Sequence, residues 1–258
     1  MKRVIFFIMF VFTSSIFADK LQDIKSQGFL IAGVKYDFKP FGFINEDGRI
    51  DGFDIDLIKY ISSKLDVDVR FKQVTSTNRI KLLKNNKVDL VIASMTHKLS
   101  REKDIDFSIS YFFDGQAMLV LNKDTRKHYS NYEGARIGAI KGATSGGNFK
   151  KLLPAAKMVY YNEYPQALRA LNAGYLDAIT TDLAWCSLQA IESRGKFKVL
   201  DDILSYEPYG IGVIENESNY LDEINKILQD SVLDGTYANI YEKWFGKLPA
   251  KLPEVWPR

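Results

Sequence analysis

The order of strands and helices predicts an α/β protein with two doubly wound lobes joined by a two-strand hinge. Apolar strands alternate with helical patterns twice, first over residues 28–94 and again over residues 135–200. A long extended segment follows each unit, at residues 111–121 and at residues 206–213. Two extended segments between two such units are typical of a hinge that closes around a ligand.

The first unit alternates strand and helix after a short leading helix. Its predicted elements are a helix over residues 20–25, a strand over 28–34, a loop over 36–43, a helix over 54–65, a strand over 67–74, a helix over 78–86 and a strand over 88–94. The loop carries Tyr36, Phe38 and Phe41. These aromatic side chains suit either ordinary packing or the wall of a ligand site.

The second unit repeats this alternation and is followed by two helices. Its predicted elements are strands over residues 135–141, 158–161, 178–181 and 197–200, a glycine-rich turn over 142–147, a helix ending at Pro154, and helices over 164–173 and 183–193. The final helices, over residues 220–233 and 236–245, are expected to return to the first lobe. The predicted domains are a first lobe over residues 19–112 and 209–258, a second lobe over 117–204, and hinge crossings at 113–116 and 205–208.

Residues 1–18 have the composition of a secretory signal peptide. Lys2 and Arg3 precede nine apolar residues, and Ala18 offers a cleavage site. A membrane anchor is the weaker alternative, because spanning a bilayer takes about 20 apolar residues. We therefore expect export to the periplasm.

Charge and cysteine content narrow the class of protein further. Without Lys2 and Arg3, 33 basic residues face 32 acidic ones, so the exported chain is near neutral. A near-neutral chain has no electrostatic footprint for nucleic acid or an anionic membrane. The single cysteine, Cys186, excludes an internal disulfide and lies in an apolar run typical of a core.

Metal-dependent and nucleophilic catalysis find little support in the sequence. The only histidines are His97 and His128, and no cluster has metal-ligand spacing. Ser145 lies in a turn loosely similar to a nucleophile elbow, but no histidine follows it. The turn also lacks the Gly-Lys-Ser/Thr end of a phosphate-binding loop, although its backbone N–H groups can hold an anion. We expect no cofactor and no metal.

Polar side chains that suit a carboxylate follow the strand over residues 88–94. Ser94, Thr96 and Arg101 are expected at the sheet edge where open α/β sheets bind ligands. The planar guanidinium of Arg101 suits a carboxylate, and Thr96 adds a hydroxyl donor beside it. Local pattern alone also fits a solvated surface arginine, which is the commoner case.

The second unit offers the complementary groups for a free amino acid. Thr144 and Ser145, in the glycine-rich turn, are further donors for a carboxylate. Asp182 follows the strand over residues 178–181 and can accept hydrogen bonds from an ammonium group. It fits equally well as the N-cap of the helix that begins at Leu183.

Several stretches together match a known family, although each is weak alone. They are GVKY at 33–36, PFGF at 40–43, GFDIDL at 52–57, NR at 78–79, KVDL at 87–90, MT at 95–96 with Arg101, DFS at 106–108, GAT at 142–144 and KWFG at 243–246. Through them the sequence resembles the periplasmic solute-binding proteins of polar amino-acid ABC transporters. The resemblance implies a periplasmic binding protein-like fold of type II.

The resemblance also implies which residues bind the amino-acid backbone of the ligand. Arg101 and Thr96 would bind the α-carboxylate, helped by backbone groups of Ser94 and by Thr144. Asp182 would bind the α-ammonium group. Met95 and Ser145, neighbours of these residues, complete the predicted backbone-binding set.

Phe38 or Tyr36 would form an aromatic wall of the same site. The sequence departs from the family in two places. The second aromatic wall often found in the family falls near Ser76, and the usual acidic residues before the arginine are replaced by Leu99 and Ser100. The first departure argues against a flat, stacked ligand side chain.

Lys35 and Arg79 match positions where family members that bind aspartate or glutamate carry basic residues. Two cations at one pocket would favour an acidic ligand and disfavour lysine or arginine. In the alternative interpretation Lys35 pairs with Asp37 or another local acid and faces water. Glutamine or another polar amino acid is the next expectation for the ligand.

The sequence therefore predicts a non-enzymatic, monomeric substrate-binding component of an ABC transporter. It would capture a free polar L-amino acid by lobe closure and deliver it to an inner-membrane permease. The alternative function is a periplasmic lyase resembling cyclohexadienyl dehydratase on the same fold, which needs a general acid in the pocket. A receptor sensor domain would need a membrane span after the lobes, and the sequence predicts none.

Overall fold

A computed structural model describes residues 19–254 of the chain, so the predicted signal peptide over residues 1–18 lies outside the described part. Within it, helices and strands form two lobes, each built around its own sheet. The predicted α/β class with two lobes is confirmed.

The strands are β1 (Phe29–Val34), β2 (Asp37–Phe38), β3 (Gly42–Ile44), β4 (Ile50–Asp51), β5 (Asp68–Gln73), β6 (Leu90–Val91), β7 (Asp106–Phe107), β8 (Phe112–Leu121), β9 (Arg136–Ile140), β10 (Lys157–Tyr161), β11 (Ala178–Asp182), β12 (Phe197–Val199), β13 (Ser205–Tyr209) and β14 (Gly212–Val213). The helices are α1 (Lys20–Gln27), α2 (Phe53–Leu65), α3 (Arg79–Lys84), α4 (Ser145–Leu152), α5 (Tyr164–Asn172), α6 (Leu183–Glu192), α7 (Ser218–Leu233) and α8 (Thr236–Phe245). A short 3₁₀ helix spans Tyr129–Tyr132.

The first lobe contains a five-stranded sheet in the order β5-β1-β6-β14-β7. β1 runs parallel to β5 and β6, whereas β14 is antiparallel to β6 and β7. Of the predicted strand over residues 88–94, Leu90–Val91 form β6, and the backbone N–H groups of Asp89 and Ile92 also donate to β1. Ser94 has a left-handed backbone, with φ 47°, so the chain turns off the sheet there.

The aromatic segment over residues 36–43 is not the simple loop that the sequence predicts. β2, β3 and β4 form a small antiparallel sheet in which Phe38 lies opposite Gly42. A Cβ on Gly42 would lie 2.5 Å from the carbonyl oxygen of Lys35. Because glycine has no Cβ, the two backbones can approach this closely.

The second lobe contains a six-stranded sheet in the order β10-β9-β11-β8-β12, with β13 also paired to β8. β9, β10 and β11 are parallel, and β8 runs antiparallel to β11, β12 and β13. The extended segment predicted over residues 206–213 is divided between the lobes. β13 belongs to the second sheet and β14 to the first, and Gly210 lies between them.

Two antiparallel strands, β8 and β13, connect the lobes. Ser205 lies opposite Gln116, and Tyr209 lies opposite Phe112. The predicted hinge crossings at residues 113–116 and 205–208 fall within this paired region. The domain boundaries derived from them stay a prediction.

The apolar core follows the sequence pattern closely. Leu57, Ile58, Ile61 and Leu65 of α2 are at most 2% exposed, because their helical spacing places them on one inward face. α7 and α8 pack against α2, so these two helices return to the first lobe as predicted. Cys186 is fully buried, as its apolar surroundings predict. Within residues 19–254 no helix combines the length and apolar character required to cross a membrane.

Candidate functional site

Arg101 links the two lobes from a loop of the first lobe. Its Nη1 donates to the carbonyl oxygen of Thr96 at 2.7 Å, and its Nη2 donates to that of Gly142, in the second lobe, at 3.2 Å. Burial lowers the pKa of the guanidinium, and the nearby acids Glu207 and Asp182 oppose that effect. The side chain is therefore half-buried between the lobes rather than a solvated surface arginine.

Thr96 and Thr144 meet at one carboxylate oxygen. The two hydroxyl groups donate to Oε2 of Glu207, at 2.7 Å and 2.9 Å. Oε1 of Glu207 accepts from Nδ2 of Asn148 at 2.9 Å and from the hydroxyl of Ser205 at 2.5 Å. Glu207 lies on β13 and is 2% exposed. The sequence prediction missed it, although an acidic residue in a hinge strand is itself an unusual signal.

Ser94 is held by a buried aspartate at the start of α2. Its backbone N–H and its hydroxyl group donate to Oδ2 of Asp54, at 3.0 Å and 3.4 Å. The hydroxyl of Tyr111 donates to the other oxygen at 3.0 Å. Burial raises the pKa of Asp54 to about 6, although the Tyr111 hydrogen bond opposes this. Asp54 thereby fixes the left-handed backbone that directs the chain from β6 towards Thr96.

Met95 does not face the space between the lobes. It is fully buried, and its side chain packs with Leu83, Val91 and Ile105 in an apolar cluster of the first lobe. Its methyl group lies so close to Gly212 that a Cβ there would be 2.6 Å away. The structure therefore makes Met95 a core residue and not a companion of Thr96 in the site.

Lys35 is enclosed by aromatic rings rather than facing water. Its Nζ lies 3.9 Å from the ring centroid of Phe38 and 4.8 Å from that of Tyr164, and 3.5 Å from the Tyr164 hydroxyl. Asp37, the alternative partner, accepts the backbone N–H of Tyr164 at 3.2 Å instead. Burial first, and the nearby charge of Arg79 second, lower the pKa of Lys35 to about 8.

The predicted aromatic wall is only partly in place around this ammonium. Phe38 is fully buried, and its ring centroid lies 4.4 Å from that of Tyr164 and 6.3 Å from that of Trp185. Tyr36 is half-buried and packs against the main apolar core. The sequence prediction missed Tyr164 and Trp185. The only sign of them in the sequence is that each is an aromatic residue near the start of a helix.

Asp182 ends β11, and its side chain does not cap the following helix. The backbone N–H of Ala184 is instead accepted by Asp114 of β8, at 3.3 Å and 3.2 Å from its two oxygens. The Asp182 carboxylate accepts from the Thr181 hydroxyl at 3.4 Å and is 9% exposed. Burial raises its pKa, and the charge of Lys35 opposes this. Of the two interpretations left open by the sequence, capping is wrong.

Three buried polar atoms near these residues have no hydrogen-bond partner within residues 19–254: Nε of Arg79, the hydroxyl of Ser76 and the hydroxyl of Ser145. Arg79 is 2% exposed and donates from Nη1 to the carbonyl oxygen of Ala93 at 2.7 Å. Burial, followed by repulsion from Arg101, lowers its pKa to about 9. Leaving a buried polar atom without a hydrogen bond is energetically costly, so each of these three atoms would gain from a polar partner.

A cavity of about 390 Å³ opens between the lobes beside Thr96 and Thr144. Its polar lining includes Glu207, Thr96, Asn148, Lys98 and Lys151. His97 also lines this cavity, and its ring contacts Glu102. In the described part of the chain no three His, Cys, Asp or Glu residues converge as metal ligands would.

The family model of bacterial extracellular solute-binding proteins, family 3, matches residues 30–247. The chain belongs to this family. The resemblance noted in the sequence is thereby confirmed, and with it the type II fold.

Relatives of this solute-binding protein are named for amino acids. The glutamine-binding protein GlnH of an ABC transporter of Bacillus subtilis (strain 168) is 37% identical over 238 residues, which cover 90% of this chain and 87% of the relative. An ancestral arginine-binding protein bound to glutamine has 39% identity and a TM-score of 0.82, covering 85% of this chain and 99% of that chain.

A third similar protein bears on the enzymatic alternative. It is an ancestral amino acid-binding protein, a precursor of cyclohexadienyl dehydratase, with 33% identity and a TM-score of 0.83. The match covers 87% of this chain and 99% of that chain. All three relatives are named as binding proteins, and the third is also named as the precursor of an enzyme.

Proposed function

We propose that this family 3 solute-binding protein is the substrate-binding component of an ABC transporter for a free polar L-amino acid. The observation that carries the proposal is that Arg101 and Asp182 lie near one another at the interface between the lobes, where the charge of Asp182 opposes the lowering of the pKa of Arg101. A half-buried guanidinium and a buried carboxylate are the two partners that an α-carboxylate and an α-ammonium group require. Closure of the lobes would bring both to one ligand and exclude water, which strengthens each charged contact.

The ligand we propose is acidic, either glutamate or aspartate. Lys35 and Arg79 are each 2% exposed, and each has its pKa lowered by burial, to about 8 and about 9. The charge of Arg79 also lowers the pKa of Lys35, so the two cations repel one another. A side-chain carboxylate near both would relieve that repulsion and accept from the Nε of Arg79, which has no partner among residues 19–254.

Glutamine is the second candidate ligand. The relative from Bacillus subtilis is named for glutamine, and the ancestral arginine-binding protein was solved with glutamine bound. A carboxamide oxygen could accept from Lys35, and its NH₂ group could donate to the hydroxyl of Ser76, which has no partner within residues 19–254. Acidic ligands and glutamine differ in side-chain charge, so the dependence of ligand affinity on Lys35 distinguishes them.

The family and the leader sequence support a proposal for the cellular setting. Residues 1–18 would direct export and be cleaved after Ala18, and we propose that the mature protein is a monomer in the periplasm. The inner-membrane permease of the transporter would then be its partner. Binding requires no covalent step, and we propose no enzymatic activity.

A ligand panel tests the function directly. At about 100-fold its dissociation constant, a ligand adds roughly 2.7 kcal/mol to the free energy of unfolding, which gives a visible melting shift. We expect a shift with glutamate or aspartate, with glutamine next, and none with lysine or arginine. No shift with any amino acid would contradict the proposal.

Matched variants show whether the panel reports this site. Arg101→Ala should abolish the shift, whereas Arg49→Ala, at an exposed turn, should retain it. Turnover of prephenate or arogenate by the purified protein would favour the lyase instead. Mass spectrometry of the small molecule that copurifies would identify the ligand independently.

A further inference from the structure

Glu207 holds the hydroxyl groups that the predicted carboxylate clamp depends on. Its Oε2 accepts from Thr96 at 2.7 Å and from Thr144 at 2.9 Å, and the carboxylate is almost fully buried. Nothing in the proposed function assigns a role to this residue.

Each threonine hydroxyl has one proton to donate. A proton of Thr96 or Thr144 that is donated to Glu207 is not available to the carboxylate of a ligand. The charge of Glu207 also reaches the arginine of the clamp, because it opposes the fall in the pKa of Arg101 that burial causes. Glu207 and a ligand carboxylate therefore require the same hydroxyl protons and the same positive charge.

The position of Glu207 in the fold makes this overlap intramolecular. Thr96 follows β6 in the first lobe, whereas Thr144 directly precedes α4 in the second lobe. Glu207 itself lies on the connecting strand β13, and Asn148 and Ser205 hold its other oxygen at 2.9 Å and 2.5 Å. One carboxylate thus bonds to both lobes, at the high effective concentration of a group carried by the same chain.

We propose that Glu207 is a tethered competitor for the carboxylate clamp, which holds the threonine hydroxyls and the two lobes together until the carboxylate of the ligand displaces it. This inference rests on the proposed function, because it places an amino-acid carboxylate at Arg101. The competition lowers the affinity for the ligand, since only the fraction of protein with released hydroxyls is competent to bind. Glu207 then sets the working affinity of the site without touching the ligand.

The test uses the mature protein stripped of ligand, with Glu207→Gln as the variant. Glutamine keeps the shape of the side chain and removes its charge and one acceptor. Isothermal titration with the amino acid found in the panel should give about tenfold tighter binding for Glu207→Gln than for the wild type. This factor corresponds to a wild type in which about one tenth of the molecules have released hydroxyls and can bind. Small-angle scattering of the stripped proteins should give a larger radius of gyration for the variant, because the bond between lobes is weakened.

Glu133→Gln is the matched control, because this glutamate is exposed in the second lobe. It should bind and scatter as the wild type does. Should Glu207→Gln fold poorly, Glu207→Asp serves instead, because its shorter side chain cannot reach both hydroxyls, and tighter binding is again expected.

Equal or weaker affinity in the Glu207 variant overturns the inference, since the residue would then orient the threonines for the ligand. If no amino acid binds to either protein, the proposed function fails. Scattering still decides the inference in that case. An unchanged radius of gyration overturns it, and an expanded variant supports the bond between the lobes.

Discussion

Gly142 of the second lobe lies directly against the backbone of Ser76 in the first lobe. A Cβ added to Gly142 would be 2.4 Å from the carbonyl oxygen of Ser76, and the glycine has a left-handed backbone, with φ +78°. The carbonyl oxygen of the same glycine accepts from Arg101. The contact between the lobes and the position of Arg101 therefore both depend on Gly142, which has no side chain.

Gly142→Ala should weaken ligand binding by preventing the lobes from meeting. The new methyl group would clash with rigid backbone, and the left-handed conformation adds strain for alanine. We expect the dissociation constant to rise by about 100-fold, the order of a backbone shift in a tight contact. Isothermal titration measures this change. Gly134→Ala, also left-handed but with open space around it, is the control for strain alone. Equal losses in the two variants would contradict the role of the contact.

Asp182→Asn should remove most of the ligand affinity while the protein stays folded. The variant keeps the shape of the side chain but loses the charge that an ammonium group needs, which costs about 100-fold or more in binding. In the wild type the Asp182 side chain makes no helix-cap hydrogen bond, so its replacement should leave the start of α6 undisturbed. Titration calorimetry and circular dichroism measure the two properties. Asp47→Asn, in an exposed turn, should change neither. Full affinity in Asp182→Asn would show that the ammonium group binds elsewhere.

Binding of an acidic ligand should weaken as the pH rises above about 8. The pKa of Lys35 is lowered to about 8 by burial, so its charge is present below that pH and lost above it. The dissociation constant for glutamate should then rise by up to about tenfold per pH unit between pH 8 and 9. Lys35→Met should bind more weakly at pH 7 and show a flatter profile. A steep profile in that variant would assign the titration to another group, and a flat wild-type profile would favour glutamine.

The free energy of unfolding should carry a pH dependence from Asp54. Its pKa is raised from 3.8 to about 6 in the folded protein, so the folded state binds more protons between these values. Stability from this group is therefore greatest at low pH and falls as the pH rises from about 4 to about 6, then levels off. Relative to Asp54→Asn, the wild type should lose at most about 1.4 kcal/mol per pH unit in that window. Urea unfolding of both proteins at pH 4.5, 5.5 and 7 measures the difference. If the free energy of unfolding of the wild type increased with pH relative to that of Asp54→Asn, the predicted direction of the pH dependence would be wrong.

Residues at the ends of strands were predictable from the sequence. Thr96 and Arg101 follow the strand that contains Leu90–Val91, and Asp182 ends a strand in the other lobe. Polar side chains after an apolar strand must lie at a sheet edge, because successive residues in the strand bury their side chains in the core. The sequence prediction failed for Met95, since adjacency to Thr96 does not say which side of the chain faces the core.

Residues brought in from distant segments were not predictable. Glu207 meets Thr96 and Thr144 because β13 pairs with β8 and passes between the lobes. Tyr164 reaches Lys35 from the other lobe, across 129 residues of sequence. Neither segment carries a local pattern that specifies its neighbour.

By itself, the sequence determined the two α/β units, the two connecting strands, the family, and the kinds of side chain offered to a ligand. Local periodicity and the chemistry of single residues are sufficient for those conclusions. Only the tertiary structure decided that Asp114 caps α6 and leaves Asp182 uncapped, and that Glu207 occupies the threonine hydroxyls. Hydrogen bonds are short-ranged and directional, so their partners depend on strand pairing and lobe contact, which no stretch of sequence specifies alone.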